Sequence, residues 1–452
     1  MKKFFIFGLL SIQFNVFSQT LNFYRELGYS LSRDNNYGTA RFEAMSGAFS
    51  ALGGDISAFG VNPAGSAIAI KSVASASLSS DNTDYSAQYY GNSDVSRFDN
   101  FNFSQAGGIL IFDTNSTQWN RFAVTLNYRL KNDFGSFYQV KGNSEFLYNI
   151  DHFNDTSNPK NEFDGAIGQE YSVEEIGKSS VFNVGISAVY QDKLFVGSSL
   201  NFHNFNLNRI AFLTEENDDI SGNILLAENL VDSFVQGNGF SLSLGFIYKF
   251  NQNIRIALAY ESPTWYNEIT EDYLDELSLS DVPNLNIPEG FDAFEEGLLY
   301  QFKSHSRLTA GAAYILGKQG LISFDYTYKN YPNIKYTDNS AFFIEDNQNF
   351  ASQYRAVQLF NIGAEWRFDN LSVRGGYHYE KNPNQLIALG GSTNKDNIRG
   401  LSAGLGYNFG NMKVDLSYNK FENQEFESLY NSGDIILNNN TSRVSGTVTF
   451  SL

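Results

Sequence analysis

The chain has no cysteine, only seven prolines and three tryptophans, and charged residues make up just 18% of it. Without cysteine there are no disulfides, thiolate metal sites or Cys nucleophile. Its four histidines, His152, His203, His305 and His378, share no ligand spacing such as His-x-x-x-His, which argues against a zinc enzyme. Basic residues number 31 against 49 acidic ones, for a net charge of −18. Phosphate recognition needs clustered Lys and Arg, so no nucleic-acid partner is expected. After the first residues, no stretch approaches the roughly 18 uninterrupted apolar residues of a membrane helix. Mean hydropathy is −0.30, which taken alone describes a soluble protein. What the chain has instead is 38 Gly, 41 Phe and 27 Tyr, a composition suited to strands joined by turns.

The first residues read as an address. Lys2 and Lys3 precede the apolar run Phe4 to Leu10, and Val16 and Ser18 place small side chains before Gln19. That order is a secretory signal peptide, expected over 1–18. A buried helix or membrane anchor is the alternative, and the run is short for a span. With no Cys after the site, a lipoprotein is excluded.

Alternation organises the rest. Leu401, Leu405, Tyr407 and Phe409 face away from Ser402, Gly404 and Asn408. Leu242, Leu244 and Phe246 oppose Ser241, Ser243 and Gly245, and Leu416 and Tyr418 oppose Asp415, Ser417 and Asn419. One apolar and one polar face per strand is the pattern of a lipid-facing barrel. The strands expected are 72–90, 98–113, 119–140, 179–190, 193–212, 236–250, 253–266, 303–317, 319–337, 353–368, 370–383, 397–409, 411–426 and 441–452. Their number, about fourteen, is even, as bacterial barrels require. Tight-turn signals such as Asp192-Lys193, Asp369-Asn370 and Gly410-Asn411 alternate with longer polar links. The long links, 141–177 and 267–302 above all, are expected as extracellular loops. Aromatic doublets (Tyr248 with Phe250, Trp366 with Phe368, Tyr407 with Phe409) sit before the short turns, where a periplasmic girdle belongs. The chain ends on the alternating strand Val444 to Leu452, a form read by barrel-insertion machinery. A soluble sandwich or propeller is the alternative, but it needs a sequestered core, and here each strand has one apolar face. The expected fold is all-β, an antiparallel transmembrane barrel spanning 68–452.

Residues 19–67 do not fit the wall. Phe42, Met45, Phe49 and Leu52 form one helical stripe, Gly53-Gly54 ends it, Asp55 caps a second short turn, and Asn62-Pro63-Ala64 adds turn chemistry. A plug inside the lumen is expected, with a periplasmic extension as the alternative.

The run Ala40 to Asp55, with Gly47 and Asp55 in it and Asn62-Pro63-Ala64 after it, resembles the N-terminal hatch of the FadL-type outer-membrane transporters of fatty acids and aromatic hydrocarbons. Strand number and loop asymmetry extend the resemblance over the whole chain, while its specific motif spans about 40–66. The style of signal peptide and hatch is similar to that of Bacteroidetes members. The resemblance implies passive, hatch-gated uptake of an apolar ligand. The ligand lands between extracellular loops, enters a lumenal pocket and leaves sideways through a gap at a kinked third strand. Here that strand runs through Asn132 and Gly135. Gly135 allows a bend, and a strand simply risen above the bilayer reads equally well.

Loop 267–302 is unusually apolar, with Leu277, Phe291 and Phe294 among its residues, and is expected either to offer a ligand surface or to pack on itself. A ligand carboxylate would suit Arg, and Arg255, Arg307, Arg367 and Arg374 point inward by parity. Pairing with lumenal acids and anchoring of the plug is their other expected role. The ligand contacts expected are those four arginines with Phe42, Met45, Phe49, Leu277, Phe291 and Phe294. No catalytic group, metal or cofactor is expected, since neither His203 nor His378 lies near a Ser motif. Expected partners are a hydrophobic small molecule, outer-membrane lipid and the insertion machinery, with the protein a monomer. The rival function is a partner-binding carrier in type IX protein secretion, which the FadL-like hatch also resembles.

Overall fold

Period-two alternation becomes a wall in a computed structural model, which describes residues 18–143, 163–219, 222, 224–280, 291–338, 341–384, 397–429 and 434–452. Among these residues the strands are β1 Val73–Tyr89, β2 Asn92–Asp113, β3 in two pieces (Trp119–Asp133 and Ser136–Gly142), β4 Phe163–Tyr190, β5 Leu194–Asp219 and β6 Ile224–Lys249. They continue as β7 (Ile254–Glu261 and Trp265–Ser280), β8 (Phe291–Lys303 and Arg307–Leu316) and β9 (Gly320–Lys329 and Lys335–Tyr336). The last five are β10 Val357–Phe368, β11 Leu371–Glu380, β12 Ile398–Asn408, β13 Met412–Ser428 and β14 Asp434–Ser451. Each pairs antiparallel with its neighbour, and β14 returns to β1 from Ser451 opposite Val73 to Ile436 opposite Gln88. The fourteen-strand cylinder is closed.

The outer face is apolar. Leu242, Leu244 and Phe246 are 45%, 61% and 37% exposed, while Ser241 and Ser243 between them are buried in the lumen. The aromatic doublets end their strands outward, with Phe250, Trp366, Phe368, Tyr407 and Phe409 all exposed. A surface this greasy, with its polar groups turned inside, is stable in hydrocarbon rather than in water.

Among the described residues, the two long links expected as loops are mostly strand. β4 reaches back to Phe163, β5 and β6 run to 219 and from 224, and β7 and β8 form one hairpin across most of 267–302. Residues 144–162 and 281–290 lie outside the described residues. Alternation persists in these extensions, but the outward partners become Thr214, Glu216 and Asp218, which an apolar-outward criterion passes over. Beyond the bilayer the outer face meets water, so polarity there is free while the backbone ladder still satisfies its own groups. β4 alone has 28 residues, about 90 Å of chain at roughly 3.4 Å per residue. A span needs only about ten residues.

β7, β8 and β9 are broken at 262–264, 304–306 and 330–334. Pro263 and Pro332 have no amide hydrogen to give a ladder. Here an aromatic cluster from the broken wall, including Tyr266, Tyr300, Phe302, Tyr331 and Tyr336, receives Tyr24, Leu27 and Leu31 of a helix, α1 (Ser18–Ser32). Sequence reading passes over this helix, although its apolar side chains stand at helical spacing. The signal peptide expected over 1–18 lies outside the described residues except for Ser18, where α1 begins.

Burial of an Arg side chain at the mid-depth of the lipid face costs about 2–4 kcal/mol in barrels of this kind. Leu244→Arg is expected to lower folding stability in vesicles by that amount in urea titrations. Ser243→Ala, on the lumenal face of the same strand, removes one hydrogen bond from Asn201, which keeps Ser241 as a partner, and should cost about 1 kcal/mol.

Candidate functional site

The site begins with the plug. A short helix, α2 (Ala40–Glu43), is capped by Thr39, whose Oγ1 accepts from the Phe42 amide at 3.2 Å and donates to Asp55 Oδ1 at 2.8 Å. Asp55 also accepts from the Ser57 amide at 3.0 Å, so the expected cap is made and is shared between two turns. The single helix expected over 39–52 stops at Glu43. Ser46 and Gly47 adopt left-handed backbone, φ 51° and 76°, and fold the chain back so that Phe42 packs on Phe49. Asn62 caps the 3₁₀ turn Pro63–Ile68 by accepting from the Ala64 amide, and its Nδ2 donates to Ser50 O at 2.9 Å and Phe246 O at 3.1 Å. A Cβ at Gly245 or Gly197 would collide with Asn62, Pro63 or Ala64, so these wall glycines are the seat of the triplet.

Contacts on every side of the wall place the plug in the lumen. The Ala40 amide donates to Thr447 on β14, Ser46 meets Ser402 on β12, and Asp325 on β9 accepts from the Ser50 amide at 2.8 Å. Glu365 on β10 gathers Arg41 of the plug with Arg367 and Arg374 of the wall, at 2.8, 2.5 and 2.7 Å, and Arg374 continues to Asp415 at 2.6 Å. Arg255 donates to Leu52 O at 2.8 Å, and Arg307 to Gly60 O and Glu261, both at 2.5 Å. Asp34 chelates Arg129 at 2.6 and 2.9 Å. Burial would raise the Asp34 carboxyl, but Arg129, Arg307 and Lys131 hold it well below the usual carboxylate range. The four arginines expected to meet a ligand are thus engaged in fixing the plug or in lumenal pairs. Phe42, Met45 and Phe49 are equally occupied, buried where plug meets wall.

Above the plug lies a cavity of about 220 Å³ between α1, the upper lumen and the third strand. Asn132 and Gly135 line it, with Asp133, Phe134 and Ser136 between and beside them. None of the ten residues expected to touch a ligand is among the described residues that line this cavity. Leu277 is half-buried opposite Asn229 and Asp292, and Phe291 and Phe294 occupy the start of β8 opposite Ser278 and Asp275. Tyr273 of the same hairpin is buried with Leu213 and Val231 instead of forming a surface groove. Among the lining residues that sequence reading missed, Arg25, Glu26 and Tyr29 belong to the helix it passed over, and Arg33 follows its end.

The third strand is interrupted at the segment expected to bend. The ladder between β2 and β3 runs from Asp113 opposite Arg121 to Gln105 opposite Arg129 and goes no further. Above that point β2 pairs only with β1, and Ser136–Gly142 pairs only with β4. A register shift at Leu130/Asn132 turns Asn132 inward, and the strand breaks at Phe134-Gly135. Side chains alone close the opening. Asn100 and Asn102 both donate to Asp133 Oδ2 at 2.6 Å, Ser96 Oγ donates to Phe137 O at 2.5 Å, and the Phe98 ring lies where a Cβ on Gly135 would sit. Phe101 and Phe103 beside the opening are 66% and 51% exposed on the outer face.

Solved structures with this geometry exist. Superposition on a FadL homologue of Pseudomonas aeruginosa gives a TM-score of 0.58 at 15% identity, covering 93% of this chain and 99% of that one. The fold is that of the FadL-type barrels. The toluene transporter TbuX of Ralstonia pickettii matches with a TM-score of 0.55 at 20% identity over 92% and 99% of the two chains. The toluene transporter TodX of Pseudomonas putida matches with 0.55 at 15% over 93% and 99%. No protein-family model and no curated protein sequence matches.

Glu43 offers a test of how the plug is held. Its carboxylate accepts from the Gly38 amide at 3.0 Å and Ser445 Oγ at 2.6 Å, with Asn419 and Ser417 further off. Burial, opposed by Arg443 and those hydrogen bonds and reinforced by Asp81, pushes its carboxyl up to about 7. A raised value means that the docked plug holds the proton. This contribution is complete below the ordinary carboxyl range and is lost as pH rises through about 7. Opening events in planar bilayers should become more frequent between about pH 6 and 8, and Glu43→Gln should flatten that rise.

Proposed function

We propose that the protein is an outer-membrane channel through which hydrophobic small molecules diffuse inward, with the plug closing the direct path to the periplasm. The observation that carries this reading is the ending of the β2–β3 ladder at Gln105 and Arg129, beside a lumenal cavity. A ligand resting there has two neighbours, the cavity's aromatic rings and the lipid beyond Phe98. Leaving sideways keeps an apolar molecule out of water throughout and leaves the plug's ion pairs intact. Aqueous passage would instead break buried pairs, at about 3–5 kcal/mol each. The similar barrels TodX and TbuX are toluene transporters, which supports an apolar cargo.

The same reading takes residues 1–18 as a signal peptide, 19–67 as the gating plug and the tall β4–β8 hairpins as the extracellular vestibule. The monomer is the working unit, its wall is solvated by outer-membrane lipid, and its C-terminal strand is the mark read by insertion machinery. A carrier role in protein secretion has less support, because about 220 Å³ admits a small molecule and not a folded or extended polypeptide.

The absence of native cysteine makes the gap directly testable. Asn100→Cys with Asp133→Cys places two thiols where the side chains already meet across the opening. Cross-linking is expected to abolish uptake of toluene or a labelled alkane into proteoliposomes, and cleavage of the link to restore it. Undiminished uptake through the cross-linked wall would rule out the lateral route.

A further inference from the structure

The cavity has an unexpected charge. Its lining carries six carboxylates (Glu26, Asp81, Asp133, Glu175, Glu425 and Glu427) against four arginines. Three of those arginines are held at 2.6 Å by the cavity's own acids: Arg33 by Glu425, Arg209 by Glu427 and Arg443 by Asp81. Arg25 donates to Gln353 at 3.2 Å. A ligand carboxylate would therefore meet excess negative charge and guanidinium groups already engaged.

Three of the acids stand apart from these pairs, and one of them, Glu175, also reaches Arg209, at 3.4 Å. Asp133 is satisfied by the Asn100 and Asn102 amides. Glu26 is not satisfied in this way. It projects from α1, lines the cavity, and its Oε1 is shut off from solvent with no hydrogen-bond partner. A buried acceptor left unmet is costly, and natural structures keep such groups where something else completes them. Burial, only partly opposed by Arg209 and Arg25, pushes the Glu26 carboxyl up, as expected of a site short of positive charge. The lining of the same cavity also includes Tyr85, Phe98, Phe134 and Tyr138. Carboxylate and aromatic faces together are the chemistry that recognises ammonium groups. Two other rings of the same lining already carry cations: Arg33 lies over Tyr29 at 5.3 Å and Arg443 over Tyr37 at 3.4 Å.

We propose that the cavity selects an amphiphile with a cationic, ammonium-type headgroup, received by Glu26 among these rings, and disfavours a fatty carboxylate. The proposal rests on the reading of this cavity as the ligand's station and names the class of ligand that station takes. The apolar tail would then lie toward Phe98 and the wall opening.

The test uses the full-length protein in nanodiscs, titrated calorimetrically with dodecylammonium, whose N–H groups can meet Glu26, and with dodecanol and dodecanoate, which differ from it only in headgroup. The ammonium probe is expected to bind about tenfold tighter than dodecanoate or better. Glu26→Gln, nearly isosteric, should remove most of that preference and leave dodecanol binding as it was. Should Glu26→Gln fail to assemble, judged by heat-modifiable gel mobility, Tyr138→Leu carries the comparison and should weaken the ammonium probe selectively. Dodecanoate binding as tightly as the ammonium probe would overturn the proposal, as would an ammonium affinity indifferent to the variant. In either case continued dodecanol binding would leave the cavity as a ligand station. Failure of all three probes to bind would overturn both the proposal and the reading beneath it.

Discussion

In hydrocarbon an amide or carbonyl without a partner costs several kcal/mol, so a chain that crosses a bilayer by strands must close its ladder on itself. Most of this architecture follows from that constraint. β14 returns to β1 over nearly the full length of both, and along most of the circumference each strand is bonded on both sides. The one place where two neighbouring wall strands run together without a ladder is therefore conspicuous among the described residues. Between β2 and β3 the missing bonds are replaced by Asn100, Asn102 and Ser96 reaching across, and by one aromatic ring over Gly135. Side-chain closures of this kind can rotate away. A backbone ladder cannot do so without unfolding the wall.

The interior solves a second problem with the same economy of parts. A cylinder of this size holds more space than its inward side chains fill, and the plug occupies the lower half. Its attachment is both polar and apolar: Arg41 on Glu365, Asp34 with Arg129 and Asp325 with Ser50, beside Phe42, Met45 and Phe49 packed against the wall. Above it, α1 packs into an aromatic cluster and leaves only a small acidic cavity between itself and the third strand. Plug, helix, cavity and interrupted ladder thus form one continuous arrangement, in which the plug fills the lumen below the cavity and side chains alone span the wall beside it.

Much of this was legible in the sequence, because lipid enforces a strict code. Leu242, Leu244 and Phe246 outward with Ser241 and Ser243 inward is a pattern with one physical reading, and the closing strand Val444 to Leu452 repeats it. The kink was legible because Asn132 interrupts that code and Gly135 relaxes it. Legibility fails where the code lapses. In the extensions of β4 to β8 the outward face turns polar, and apolar side chains such as Leu213, Val231 and Tyr273 turn inward. The apolar-outward rule no longer marks strand there, although the ladder continues. The arginines show a different limit. Parity tells which way Arg374 points, but its partners, Glu365 and Asp415, come from other strands and are fixed by register. The cavity's lining likewise comes from segments as far apart as Glu26 and Glu427, and no local motif joins them.

Hydrogen–deuterium exchange of the protein in lipid nanodiscs addresses the interrupted wall most directly. The account predicts slow exchange along β2 from Gln105 to Asp113 and through the plug from Ala40 to Ile68. On the side of β2 facing the third strand, amides between Ser96 and Ser104 should exchange far faster. Uniform protection along the whole of β2 would mean that the ladder is complete, and that no molecule leaves through this wall.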